Sequence, residues 1–319
     1  MSEDADCIVI GGGPAGLTAA TYLRRYHRAV LLLSQGPSRA QYIARTQNMP
    51  GYPGGLAGGT LLDQLQRQAR RFGCALLPQR ALRISGEAGA FRVDTGQRAF
   101  SGRTVLLCSG VEDRLPDALA GGWDAVGAGS IRLCPVCDAF EYTDAALCVL
   151  GSSEKAGRQA LFLRGYSPHL TLLTDGVSPA RWSAELRQRL AAAGVHTDER
   201  RITRIVSRPR RTTVTLADGD ELAARALYVS LGCNVRSELA TALGARCDED
   251  GFLHVDQHQQ TSVPGLYAAG DVVQSLSQIA VAFGQAAIAA TAIHNRLREA
   301  TQPQPPGRSD ARPQPPPPG

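Results

Sequence analysis

Cys134-Pro135-Val136-Cys137-Asp138 carries two thiols separated by two residues. That spacing lets the pair close a small disulfide ring, and reopening the ring takes up two electrons. The thiolate is the reacting form, and a helix N-terminus lowers a thiol's pKa. Pro135 suits the first turn of such a helix. Asp138 is placed to relay the proton that thiol chemistry gains or loses. Cys134, Cys137 and Asp138 are therefore the expected catalytic residues. The sequence has no second CxxC to complete a four-thiolate zinc site, and its histidines (His27, His169, His196, His254, His258, His294) follow no metal-binding spacing.

Two glycine turns flank this motif. The first, Gly11-x-Gly13-x-x-Gly16, follows the apolar run Cys7–Ile10 and opens a predicted helix over 17–26, with the next strand at 29–33. One glycine permits the tight turn, the second lets backbone approach a pyrophosphate, and the third lets helix and strand pack closely. The helix N-terminus then offers free N–H groups to the phosphates. The strand after this helix is followed by Ser34, where a dinucleotide site often has an acid, so the ribose contact must come from elsewhere. Far downstream, Gly270-Asp271 follows another strand, and Asp271 either accepts from ligand hydroxyls or starts a helix. The second turn runs from Gly151 through Ser153 to Ala156, with its return strand at 170–173 and Asp175 just beyond. Ser153 crowds a pyrophosphate and Glu154 adds negative charge there, while Asp175 suits an NAD ribose and repels the extra phosphate of NADP. This half binds NADH in preference to NADPH, or it binds no nucleotide and is a scaffold for the thiol pair.

The pattern is α/β, with two Rossmann-like nucleotide-binding domains, the second inserted into the first. The expected division gives 1–112 and 245–300 to the outer domain and 113–244 to the insert, with hinges at Glu112–Pro116 and Leu243–Gly251. Residues 301–319 are rich in Pro and Gln and read as a disordered, polyproline-like tail. The net charge of +5 rests almost wholly on arginine. The arginine patches lack interleaved aromatics and read as solvated surface, so no nucleic acid partner is expected. Cys7, Cys108 and Cys148 sit in apolar runs as small hydrophobes rather than in a disulfide framework. The acidic start has no leader character, and the apolar stretch 279–293 is too short to span a bilayer. A reducing, cytoplasmic setting follows, without membrane association.

From about Asp6 to Leu297 the chain resembles the low-molecular-weight thioredoxin reductases. The matching pieces are Gly11 to Gly16, Asn48-Met49-Pro50-Gly51, Cys134 to Asp138, and Thr261 to Val272. The resemblance implies a homodimer that binds FAD through Gly11, Gly13, Pro14, Ala15, Gly16, Asn48, Gly110, Gly270, Asp271, Gln278 and Ile279. It also implies that Cys137 faces the flavin, that Cys134 attacks the substrate disulfide, that Asp138 acts as the acid, and that the inner domain rotates. Members using NADPH carry Gly-x-Gly-x-x-Ala and a His-Arg-Arg cluster in the inner domain. Here those places hold Gly151-x-Ser153-x-x-Ala156 and Thr174-Asp175-Gly176. The expected activity is electron transfer from NAD(P)H through FAD and the Cys134–Cys137 pair to a thioredoxin-like protein or a small-molecule disulfide. The alternatives are a small-molecule dithiol oxidase whose flavin is reoxidised by oxygen, a ferredoxin-fed reductase, and a flavin-binding sensor without turnover.

Overall fold

The structure is a computed structural model that describes residues 4–300; the Pro-rich tail lies outside the described residues. Strand β1 (Asp4–Ile10) is followed by helix α1 (Pro14–Arg25) and strand β2 (Val30–Leu33). The C-terminal run Cys7–Ile10 of β1 and all of β2 are buried, as an apolar run covered on both faces requires. Helix α2 (Gly58–Arg71) leads to β3 (Ala75–Leu77), then to β4 (Arg83–Ser85), β5 (Phe91–Asp94) and β6 (Ala99–Leu107). Strand β6 serves two neighbourhoods. Ala99–Gly102 pairs antiparallel with β5, while its C-terminal half runs parallel to β1. The apolar run that ends at Cys108 is thus only the end of a longer strand. Its first half alternates buried and half-buried residues, a weaker apolar signal.

The chain leaves this sheet through β7 (Val111–Asp113). It then forms α3 (Gly122–Gly127), β8 (Ile131–Arg132), the single-turn α4 (Pro135–Asp138), β9 (Leu147–Leu150), α5 (Glu154–Arg164) and β10 (Leu170–Leu173). Helix α6 (Ala184–Ala192), β11 (His196–Asp198), the antiparallel β12 (Ile202–Arg208), β13 (Arg211–Leu216) and β14 (Glu221–Ala224), and then β15 (Ala226–Val229) complete the second unit. Its parallel sheet has the order β11-β10-β9-β15-β8. The chain returns through β16 (Cys233–Val235), which pairs antiparallel with β7, so the two crossings lie side by side. Helix α7 (Glu238–Thr241), β17 (Leu266–Ala268) beside β6, and the long α8 (Ile279–Glu299) finish the first unit.

The return crossing therefore differs from the expected Leu243–Gly251. Val235, Ala240 and Ala245 already pack with Ile8, Leu107 and Leu266 in the core of the first sheet. On its other face, α1 and α8 meet through Ala19, Ala20, Ala286, Ala289 and Ala290, small residues that let the helices approach closely. Two further apolar clusters cover the two faces of the second sheet. The fold is a mixed α/β architecture of two Rossmann-like units. Among the described residues no helix is long and apolar enough to cross a membrane.

Candidate active site

The turn from β1 into α1 is shaped by its glycines. Gly11 has φ +116°, and a Cβ there would strike the carbonyl of Cys108. A Cβ at Gly16 would strike the carbonyl of Gly11, so this glycine seats α1 on β1, and it does not line the cleft beside the turn. Gly13 differs: a Cβ there would meet only the Ser38 hydroxyl, at 3.2 Å, and its open side faces the cleft. Gly13 is also the N-cap of α1, whose first turn has no side-chain cap and no acidic residue. The unsatisfied N–H groups of that turn and the opening over Gly13 fit a pyrophosphate.

The cleft has a volume of about 1060 Å³. Of the residues expected to contact FAD, Gly11, Gly13, Pro14, Ala15, Asn48, Gly110, Gly270, Asp271, Gln278 and Ile279 all line it. Cys134, Cys137 and Asp138 line the same cleft from the second unit. Cys134 is the N-cap of α4, Pro135 occupies its first turn, and the two cysteines are joined in a disulfide. The six other cysteines are unpaired. Burial pushes the thiols of Cys7 and Cys148 up to about 12 and that of Cys74 up to about 11. No cluster of His, Cys, Asp and Glu among the described residues is arranged to hold a metal ion.

Asp138 is buried beside the disulfide. Its Oδ2 accepts from Arg132 Nε at 2.6 Å and also from Arg132 Nη2, while Oδ1 accepts from the Tyr228 hydroxyl at 2.7 Å. Burial raises the Asp138 pKa above the usual carboxylate value, and the Arg132 charge and the Tyr228 hydrogen bond oppose that rise. Tyr228 is fully buried; desolvation, followed by the Asp138 charge, drives its pKa upward, so it stays protonated and donates. The Arg132 guanidinium also lies 5.9 Å from the centre of the Tyr142 ring. Arg132 and Tyr228 were not expected from the sequence. The one local signal was an arginine next to Ile131 in a short apolar run, a place where a charge needs a partner.

Arg39 was also missed. It gives Nε to Asp113 at 2.5 Å and Nη1 to Asp271 at 2.9 Å. Asp271, read as a ligand acceptor or a helix start, is therefore bound to an arginine on the 3-10 turn Arg39–Tyr42. Asn48 and Gln278, both expected at the flavin, are bonded to each other, Nδ2 to Oε1 at 2.9 Å.

The expected nicotinamide residues lie apart from this cleft, around the turn from β9 into α5. A Cβ on Gly151 would approach the Ser230 carbonyl oxygen at 2.6 Å, and Ala156 is fully buried. Ser153 caps α5 by position, without a side-chain bond. Glu154 accepts from Ser183 N at 2.7 Å and from Arg158 Nη1 at 2.9 Å, and Trp182 Nε1 donates to the Ser152 carbonyl at 3.2 Å. Asp175, with φ 51°, accepts from Ile202 N at 2.7 Å and so pins the start of β12.

The pyridine nucleotide-disulphide oxidoreductase family matches residues 5–286. A thioredoxin reductase of Mycolicibacterium smegmatis is 30% identical over 281 residues, covering 84% of this chain and 88% of that protein. One from Streptomyces clavuligerus is 29% identical over 293 residues, covering 86% and 87%. Among solved structures, the crystal structure of HlmI superposes with a TM-score of 0.83 at 31% identity, covering 92% of each chain. An oxidoreductase from Agrobacterium tumefaciens gives 0.81 at 29%, covering 94% of this chain and 99% of that one. With the disulfide, the glycine cradle and these likenesses together, the chain belongs to the pyridine nucleotide-disulphide oxidoreductases, as a thioredoxin reductase-like, FAD-dependent disulfide oxidoreductase.

Proposed function

We propose that the chain moves electron pairs from a nicotinamide nucleotide, through bound FAD, to Cys134–Cys137 and on to an external disulfide of a thioredoxin-like protein or a small molecule. The supporting observation is that the disulfide and the glycine cradle line one cleft. FAD held there supplies a carrier that accepts two electrons and passes them on. Gly13 and the start of α1 would hold its pyrophosphate, with Gly110, Gly270, Asp271 and Ile279 along the same cleft. We assign Cys137 to the flavin side and Cys134 to substrate. The Cys134 thiolate attacks one substrate sulfur; the substrate S–S bond breaks and its electron pair leaves on the other sulfur. The Cys137 thiolate then closes the ring and expels the second substrate thiolate. Asp138 exchanges the accompanying proton. We place this chemistry in the cytoplasm, in keeping with the unpaired cysteines, and in a homodimer, in keeping with the family resemblance.

For the nucleotide we favour NADH, because an acid after the return strand, here Asp175, would repel the extra phosphate of NADPH. A second reading rests on the β9–α5 turn, where Glu154 is taken up by the Ser183 N–H and Trp182 Nε1 donates to the Ser152 carbonyl. In that reading a small dithiol reduces Cys134–Cys137 and molecular oxygen takes the electrons back from the flavin. The test is anaerobic mixing of the flavin-loaded protein with NADH, NADPH or a dithiol, followed by flavin absorbance. Rapid bleaching by NADH is the expected result; bleaching by the dithiol alone would replace the first reading with the second, and no bleaching by any of them would sink both.

A further inference from the structure

A side-chain amide of the first unit reaches the disulfide. Gln278 Nε2 lies 3.4 Å from Cys134 Sγ and 3.2 Å from Cys137 Sγ. Its orientation is fixed from behind. Gln278 Oε1 accepts from Asn48 Nδ2 at 2.9 Å, and Asn48 Oδ1 accepts from the Thr46 hydroxyl at 2.9 Å. Thr46 is buried and anchored by backbone hydrogen bonds in both directions with Leu56. Each carbonyl oxygen in this chain is thus occupied by a donor, which leaves the Gln278 NH₂ facing sulfur. Gln278 also sits at the N-cap of α8, where its side chain makes no capping bond and a Ser, Thr, Asn or Asp would serve the helix better.

We infer that Gln278 is a catalytic residue of the thiol step, donating an N–H to whichever sulfur of the pair takes up negative charge when the disulfide opens. This inference rests on the reading of Cys134–Cys137 as redox-active. A disulfide sulfur is a weak acceptor, whereas a thiolate forms a charge-assisted bond of roughly twice the strength of a neutral one. An interaction stronger in the charged state shifts the equilibrium towards it. Gln278 therefore favours the reduced pair, and because it lies near both sulfurs it serves whichever one is released. Asn48 and Thr46 are positioning residues that stop the amide from turning its oxygen towards the thiolate.

The balanced reaction for the test uses dithiothreitol. Its thiolate attacks one sulfur of the pair, the S–S bond breaks, and the electron pair stays on the other sulfur. Its second thiolate then attacks the mixed disulfide, releasing oxidised dithiothreitol and the second protein thiolate. Two electrons pass from dithiothreitol to the protein. Flavin-loaded wild type, Gln278→Ala, Gln278→Glu and Asn48→Ala are equilibrated with reduced and oxidised dithiothreitol, and the peptide carrying both cysteines is scored by alkylation and mass. Gln278→Ala should lower the equilibrium constant for reducing the pair about tenfold, or about 30 mV for a two-electron couple. Gln278→Glu, which has the same shape, should lower it further, and increasingly so as its carboxylate ionises with rising pH. Asn48→Ala should shift it in the same direction by less. The pH profile of alkylation should move upward in Gln278→Ala. An unchanged constant in both Gln278 variants, with wild type cycling normally, would overturn the role of the amide. A wild-type pair that exchanges with no dithiol would instead overturn the functional reading beneath it.

Discussion

Asp138 has its charge state set by burial and by the side chains around it. It faces Arg132 on β8, Tyr228 on β15 and the nearby Tyr142, whose own pKa burial raises against the Arg132 charge, with Asp138, Arg225 and Glu141 also felt. Arg132→Met removes the cation and leaves the carboxyl desolvated, so its pKa rises further. The limb of the kcat/KM profile governed by Asp138 should move to higher pH, in whichever direction electrons flow. A profile that does not move would remove Asp138 from the proton path. Stability gives a second readout. A carboxyl with a raised folded-state pKa stabilises only while protonated, so the variant should lose stability as pH rises through that pKa. With the side chains of Arg132 and Asp138 only 13% and 8% exposed, the loss near neutral pH is about 3–5 kcal/mol, measurable by denaturant unfolding. The cysteines and Asp138 were legible in the sequence because their types and spacing have few other uses. Arg132, Tyr228 and Arg39 were not, because each gains its role from a partner brought close by folding, and Tyr228 is 90 residues from Asp138.

At the scale of elements, the β1–α1 turn is the clearest case of sequence fixing geometry. Gly16→Val places a side chain against the Gly11 carbonyl and 3.3 Å from a methyl of Val9. Overpacking of this kind costs about 1–3 kcal/mol, and the displaced helix start should lower FAD affinity in an equilibrium titration. Full stability with unaltered flavin uptake would refute the packing role given to this glycine. Buried parallel strands such as β1, β2 and β10 could be read because their apolar runs are nearly unbroken. The antiparallel β12, β13 and β14 could not, since strands with a solvent face mix threonine and arginine among their apolar residues, as in Arg211–Leu216. The return crossing was misplaced for a related reason. Glycines and charged residues around 243–251 look like a linker, yet Ala245 and Leu253 are core residues.

In the whole molecule, the two units are joined by β7 and β16, and Arg39 braces that join. It reaches from the 3-10 turn to Asp113 on β7 and to Asp271 after β17. Arg39→Ala leaves two carboxylates without their cation. The loss should be about 2 kcal/mol, between exposed and fully buried pairs because the Arg39 side chain is 27% exposed. Faster amide exchange should appear first at β7 and β16, and exchange confined to other segments would argue against the brace. The burial of Cys7, Cys74, Cys108 and Cys148 also matters at this scale. With desolvation holding these four as neutral thiols, peroxide and electrophiles find little nucleophile inside either core. Repeated turnover at one sulfur pair can thus proceed in a polypeptide whose remaining interior sulfur is chemically quiet, sparing both cores the oxidative wear that the reaction itself invites.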